Sequence, residues 1–153
     1  MISFFVRGRP VPQGSKQYFV NRYTGRAQGR EANPKTASWR ADVRAKAEEE
    51  MMFSQLITGG VKVSIKFVFD RPRSHFGSGK NCLVLRHDAP KKHIQKPDAD
   101  KLARAVLDAI TSVIIADDQR VHTLCVKKRW ANTPDHVGAF IVVEEKDEEE
   151  EDE

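Results

Sequence analysis

Apolar positions recur with two different periods along the chain, and the switches between them mark its elements. Ile2, Phe4, Phe5 and Val6 form a first β-prone run ending at Gly8. Val61, Val63, Ile65, Phe67 and Phe69 alternate strictly with Lys62, Ser64, Lys66, Val68 and Asp70, which predicts a half-buried and central strand. Val121, Thr123, Cys125 and Val126, with Trp130 beyond, suggest another. A turn at Thr133-Pro134-Asp135 leads to a last strand, Val137 to Val143. Two stretches instead repeat every three or four residues. Trp39, Val43, Ala47 and Met51 define a helix capped by Thr36 or Ser38 and running to about Phe53. Leu102, Ala105, Val106, Ala109, Ile110 and Val113 define a second, entered through a turn at Pro97 with Asp98 as N-cap and ending near Ser112. Prolines and glycines break residues 9–35, where Gln17 to Gln28 suits a hairpin about Thr24-Gly25. The order strand, helix, strand, helix, strand, strand predicts a single α+β domain, a mixed β-sheet with two helices packed on one face.

Candidate chemistry concentrates between Lys96 and Arg120. A helix N-terminus favours negative charge, so capping would account for one of Asp98 and Asp100, but two are present. From Asp100 to Ser112 a helix climbs roughly 18 Å. Six extended residues return roughly 20 Å, so Val113–Ala116 read as an extended run lays Asp117 and Asp118 beside Asp98 and Asp100. Clustered carboxylates repel, and a hard divalent cation with oxygen ligands relieves them. Such an ion activates water and neutralises charge on a phosphodiester. Arg104, one turn after Asp100, is placed to meet the transition state of phosphoryl transfer as a fixed positive charge. Asp108 is a further turn on and reads as the ion-pair partner of Arg104.

The pattern K-P-D-A-D-K-L-x-R-A-V-x-D-A-I followed by A-D-D-Q-R-V resembles the RusA family of Holliday junction resolvases of bacterial and phage genomes. That family's form is D-x-D-N-L-x-K-A-x-x-D-A-L, then a short apolar run and D-D-x-Q. A weaker match covers the opening strand and the turn G-R-P-V-P-Q-G-S-K. The resemblance implies a RusA-like fold and metal-binding aspartates at Asp98, Asp100 and Asp118, with Asp117 as the neighbouring acid. The family's catalytic lysine falls on Arg104 and its asparagine on Lys101. Arginine keeps the charge but offers a flat, permanently protonated fork, which excludes a proton-donating role near neutral pH. The activity implied is a Mg²⁺-dependent endodeoxyribonuclease, with Mn²⁺ as a substitute. It would resolve four-way DNA junctions by paired symmetric nicks as a C2 homodimer, in the cytoplasm of a bacterial or phage-infected cell. Two other classes fit the residues alone. One is a metal-dependent nuclease on other branched or single-stranded nucleic acid. The other is a non-catalytic DNA-binding module whose acids bind a structural ion or cap the helix.

Charge sharpens the nucleic-acid reading. Residues 144–153 hold nine acids and one lysine, an acidic tail expected to be disordered, while residues 1–143 carry 25 basic against 13 acidic side chains. Lys91, Lys92 and Lys96 lead into the carboxylates, and Lys127, Lys128 and Arg129 follow them; with Lys101 and Lys16 these are the expected DNA contacts. Residues 9–35 interleave basic side chains with Tyr18, Phe19 and Tyr23. Such a segment suits a branched nucleic acid, although packing of the aromatics into the core is the expected use. Cys82, His87 and His93 lie in a long connection but match no common zinc spacing. His122 is a candidate base, more often a packing or solvent residue in a strand. Cys82 and Cys125 are too few for a disulfide framework. No apolar run has the length of a membrane span, and the N-terminus does not read as a signal peptide.

Overall fold

The computed structural model describes residues 1–14, 17–30 and 33–146. Four strands form the main sheet: β1 (Ile2–Arg7), β4 (Val61–Phe69), β5 (Val121–Trp130) and β6 (Gly138–Glu145), in the order β1-β6-β4-β5. β2 (Gln17–Val20) and β3 (Ala27–Arg30) make a separate antiparallel ribbon. The helices are α1 (Pro34–Glu50) and α2 (Ala99–Ile110). β4 is central, antiparallel to β6 and parallel to β5. The sheet is therefore mixed and the domain α+β, as its periodicities predict.

Alternation in β4 decides which face is covered. Val61, Val63, Ile65, Phe67 and Phe69 are all buried, and against them pack Trp39, Val43, Ala47 and Met51 of the α1 stripe. Leu102, Ala105, Val106, Ala109 and Ile110 of α2 complete the core. Each of the larger side chains contributes roughly 1.5–3 kcal/mol on leaving water and each alanine less, so these faces fix how both helices sit on the sheet. The N-cap of α1 is Asn33, whose side chain accepts from the Lys35 backbone N–H, and neither Thr36 nor Ser38 fills that place. Pro34 explains the shift, because proline suits the first helical position and gives up no hydrogen bond there. Thr36 is buried and donates to Pro12 O.

Two expected boundaries move. β6 continues through Glu145, pairing with Val61 and Lys62 of β4, two residues past the apolar alternation. The lower part of the acidic segment, residues 147–153, lies outside the described residues, as does Lys16. More consequentially, Val113–Ala116 are not extended. α2 ends at Ile110, and the chain turns tightly, with Ser112 at φ 66° and its N–H donating to Ile115 O at 2.7 Å. Burial accounts for the turn: it drives Ile114 and Ile115 fully into the core. The chain is then held by Ile57, whose N–H donates to Ile114 O and whose carbonyl accepts from Ala116 N–H.

Candidate active site

Helical periodicity sets the first half of the site. Asp100, Arg104 and Asp108 fall within one face of α2, where 3.6 residues make a turn, and they line an open cavity of about 500 Å³. Leu124 and Val126 of β5 form the opposite wall, and Asp118 enters from the short 3-10 turn Asp118–Arg120 just before β5. Asp100 and Arg104 are exposed and make no hydrogen bond or ion pair among the described residues. Residues as far apart in sequence as Asp100 and Asp118 thus line one cavity, although not by the extended return expected and without Asp98.

Asp98 goes elsewhere. It is the N-cap of α2 by backbone position, yet its side chain caps nothing, and its nearest charged neighbour is Lys101 Nζ at 3.5 Å. With Lys96, Lys101 and Arg9 it lines a second cavity of about 320 Å³. The tight turn after Ile110 explains this division. A fully extended return would bring Asp118 back to the start of the helix, whereas five residues of turn shorten the return and leave it facing Asp100 and Asp108.

The acids around Asp118 perturb one another. A hydrogen bond between the Asp117 and Asp118 side chains holds Asp117 below the ordinary carboxylate range, helped by the Gln119 backbone N–H. The same bond pushes Asp118 up, reinforced by slight desolvation of this exposed side chain and by the negative charges of Asp117 and Asp108. Asp108 is therefore electrostatically part of this cavity. The structure gives it a different partner from the expected Arg104: the Gln13 side-chain amide donates to its carboxylate. Gln13 is buried, its backbone N–H bonds Lys101 O at 3.0 Å, and its carbonyl accepts from Arg40 at 2.9 Å. It ties the segment after β1 to α2. Sequence reasoning passed over Gln13, although it is the one uncharged long polar side chain in the G-R-P-V-P-Q turn.

The expected basic contacts separate by placement. Lys91, Lys92, Lys96 and Lys101 are exposed near the approach to α2. Lys127, Lys128 and Arg129 do not share one face, because strand alternation puts Lys128 on the helix side and its two neighbours on the other. The Lys128 ammonium donates to Gln95 O at 2.6 Å and Pro97 O at 2.9 Å, bracing the backbone immediately before Asp98. Next to it, His93 stacks on Trp130 with ring centroids 4.2 Å apart and lies 4.7 Å from Phe69. Burial holds the His93 pKa below its ordinary value, and the Lys128 charge adds to this. So the long connection, residues 71–96, is anchored by stacked rings. His93 is engaged there and Cys82 is exposed, and the zinc trio does not assemble among the described residues. His122 is exposed, its Nδ1 2.9 Å from the Thr123 hydroxyl.

The donor chemistry fits a divalent cation. Magnesium is characteristically held by one or two carboxylates together with substrate phosphates, and it keeps several waters. Asp100 and Asp118 supply two such groups in one cavity, while no group of three or more close acidic, His or Cys side chains occurs among the described residues. No helix there is long and apolar enough to cross a membrane. Comparison with curated proteins gives no match. The family profile described as Endodeoxyribonuclease RusA, in contrast, matches residues 8–142 of the 153, from just after β1 into β6, and takes in both cavities. That match covers most of the chain, and the chain belongs to the RusA family of Holliday junction endodeoxyribonucleases.

Proposed function

We propose that this endodeoxyribonuclease is Mg²⁺-dependent, accepts Mn²⁺ in its place, and resolves four-way DNA junctions by paired symmetric nicks as a C2 homodimer in the cytoplasm of a bacterial or phage-infected cell. The observation that carries the reading is the cavity in which Asp100 and Arg104 of α2 meet Asp118 from the turn before β5. Asp100 and Asp118 are the residues to hold the ion, with Asp117 fixing Asp118 and Asp98 at the margin. Once bound there, the ion supplies an activated water and offsets phosphoryl charge. Arg104, free of other partners among the described residues, presents its guanidinium to the phosphate oxygens as charge builds. Lys96, Lys101 and Arg9, around the second cavity, grip the neighbouring phosphate and set the register of the backbone. A junction has near two-fold symmetry, so two equivalent sites on a symmetric dimer suit two matched cuts.

The test is cleavage of an end-labelled synthetic junction with Mg²⁺, with EDTA and with Asp100→Asn, beside flap and linear duplex substrates. Paired nicks at symmetric positions that need both the metal and Asp100 support the reading. Equal cutting of flaps and junctions would replace it with a broader branched-DNA nuclease. Tight binding without cutting under any divalent metal would withdraw the assignment of this cavity.

A further inference from the structure

The β2–β3 ribbon carries aromatic side chains that the core does not use. Packing of Tyr18, Phe19 and Tyr23 into the core is the ordinary expectation, and the structure overturns it: Tyr18 is 76% exposed, Phe19 45% and Tyr23 99%. Register explains one face. Tyr18 lies opposite Gly29 and Val20 opposite Ala27, so the side chains sharing that face are too small to cover them. A two-stranded hairpin is marginal in water by itself, yet this tip is tightly tied. Asn21 exchanges backbone bonds with Arg26 and Gly25 at 2.9 and 2.8 Å. Its side chain accepts from the Tyr23 and Thr24 N–H groups, and Gly25 takes the left-handed φ of 67° that closes the turn. Tyr23 is therefore held out on a fixed support.

Charge says what it faces. Residues 9–30 contain five Lys and Arg and no acid. Arg22 and Arg26, on either side of Tyr23 and both exposed, make no ion pair among the described residues. A polyanion with accessible ring faces complements such a surface, since arginine takes phosphates and tyrosine stacks on any base without regard to sequence. The segment leading into the ribbon is rooted on α2 through Gln13, which bonds Lys101 O and Asp108. Four extended residues span roughly 13 Å, enough to pass a row of phosphates and meet bases. We propose that the β2–β3 hairpin reads the branch point: Tyr23 and Tyr18 stack on bases left without a stacking neighbour there, while Arg22 and Arg26 hold the flanking phosphates.

This rests on branched DNA as the substrate, and its test is built so that the two can fail separately. Affinities of the full-length chain are measured, in Ca²⁺ to prevent cutting, for a four-way junction carrying 2-aminopurine at the branch and for a linear duplex of the same arm sequence. Tyr18→Ala/Tyr23→Ala should weaken junction binding about thirty-fold or more, abolish the 2-aminopurine fluorescence change and leave duplex affinity unaltered. Tyr23→Trp should restore stacking in the Tyr23→Ala background position. Arg22→Gln/Arg26→Gln should weaken both substrates and lower the salt dependence by about two. Equal loss on junction and duplex in the tyrosine variant, or no loss on either, overturns the proposal. A change from dimer to monomer on sizing would do so too, since the ribbon would then be a contact between copies of the chain. Cutting is scored separately in Mg²⁺: a wild-type chain that does not cut junctions overturns the resolvase reading, and the affinity ratio still decides the role of the hairpin.

Discussion

The two cavities at the start of α2 are made from almost adjacent residues and have opposite characters. One gathers Asp100, Asp108 and Asp118 around Arg104, which has no partner among the described residues; the other surrounds Asp98 with Arg9, Lys96 and Lys101. A helix rotates about 100° per residue, so two positions are enough to send neighbouring aspartates into different surroundings. The difference teaches that a D-x-D pair on a helix is not a unit. The first cavity concentrates negative charge where a cation and a reacting phosphorus would sit, and the second concentrates positive charge where an unreacting phosphate would be gripped.

If that division holds, Asp100→Asn and Asp118→Asn should each cut single-turnover junction cleavage by roughly 10³-fold or more, about 4 kcal/mol of barrier, with junction affinity kept. Asp98→Asn should cost distinctly less; an equal loss would merge the two cavities into one catalytic centre. Next in size, Arg104→Gln should lower the cleavage rate by roughly 10²–10³-fold without weakening binding, as for removal of one preorganised charge donor. Quench-flow under saturating enzyme separates the two effects. Lys96→Gln and Lys101→Gln should change little at saturation and instead weaken binding, each lowering the salt slope of junction affinity by about one. Lys128 sets the sharpest contrast among the cations. Lys128→Met should leave that slope alone and lower stability by about 1–3 kcal/mol, since two backbone carbonyls lose their donor; a reduced slope would make Lys128 a DNA contact after all.

The smallest effect is a pH dependence of stability behind the second cavity. His93 has a folded pKa below its ordinary value, so in acid the unfolded chain binds a proton that the folded chain refuses. Stability should therefore fall as pH drops below the ordinary histidine range, and continue falling until the depressed folded pKa is reached. Urea unfolding at stepped pH should show this slope in the wild type and a smaller one in His93→Phe.

What the sequence makes legible is whatever burial dictates. β4 alternates because one face meets the helices, and the α1 and α2 stripes repeat because each has a single apolar partner, so those elements and their inward residues can be named from hydrophobic spacing. That Asp100 and Asp118 share a cavity is legible only in part, because matching helix rise against strand rise assumes an extended return that the turn at Ser112 replaces. Where the reading fails, a competing contact decides. Val113–Ala116 looks extended by composition, but burying Ile114 and Ile115 together requires a turn. Lys127, Lys128 and Arg129 look like one basic group until the alternation of β5 is applied to them. The exposure of Tyr18 and Tyr23 reflects what is missing across the ribbon, Gly29 and Ala27, and only pairing register reveals that. Gln13 carries no pattern at all; its importance lies in three partners from α1 and α2.

One irregularity in β5 has a bearing on how this site can change. Val121 pairs with Val61 and Thr123 with Lys62, so His122 is an extra residue in the ladder. Removing it would leave every pairing from Lys62 onward intact, yet it would draw Asp118 along the strand by about 3.3 Å, out of step with Asp100. Many side chains could stand at position 122, but the number of residues between Asp118 and the sheet could not vary. Here the chain is constrained by count and not by identity, so homologues free to substitute at this position should still be intolerant of gaps.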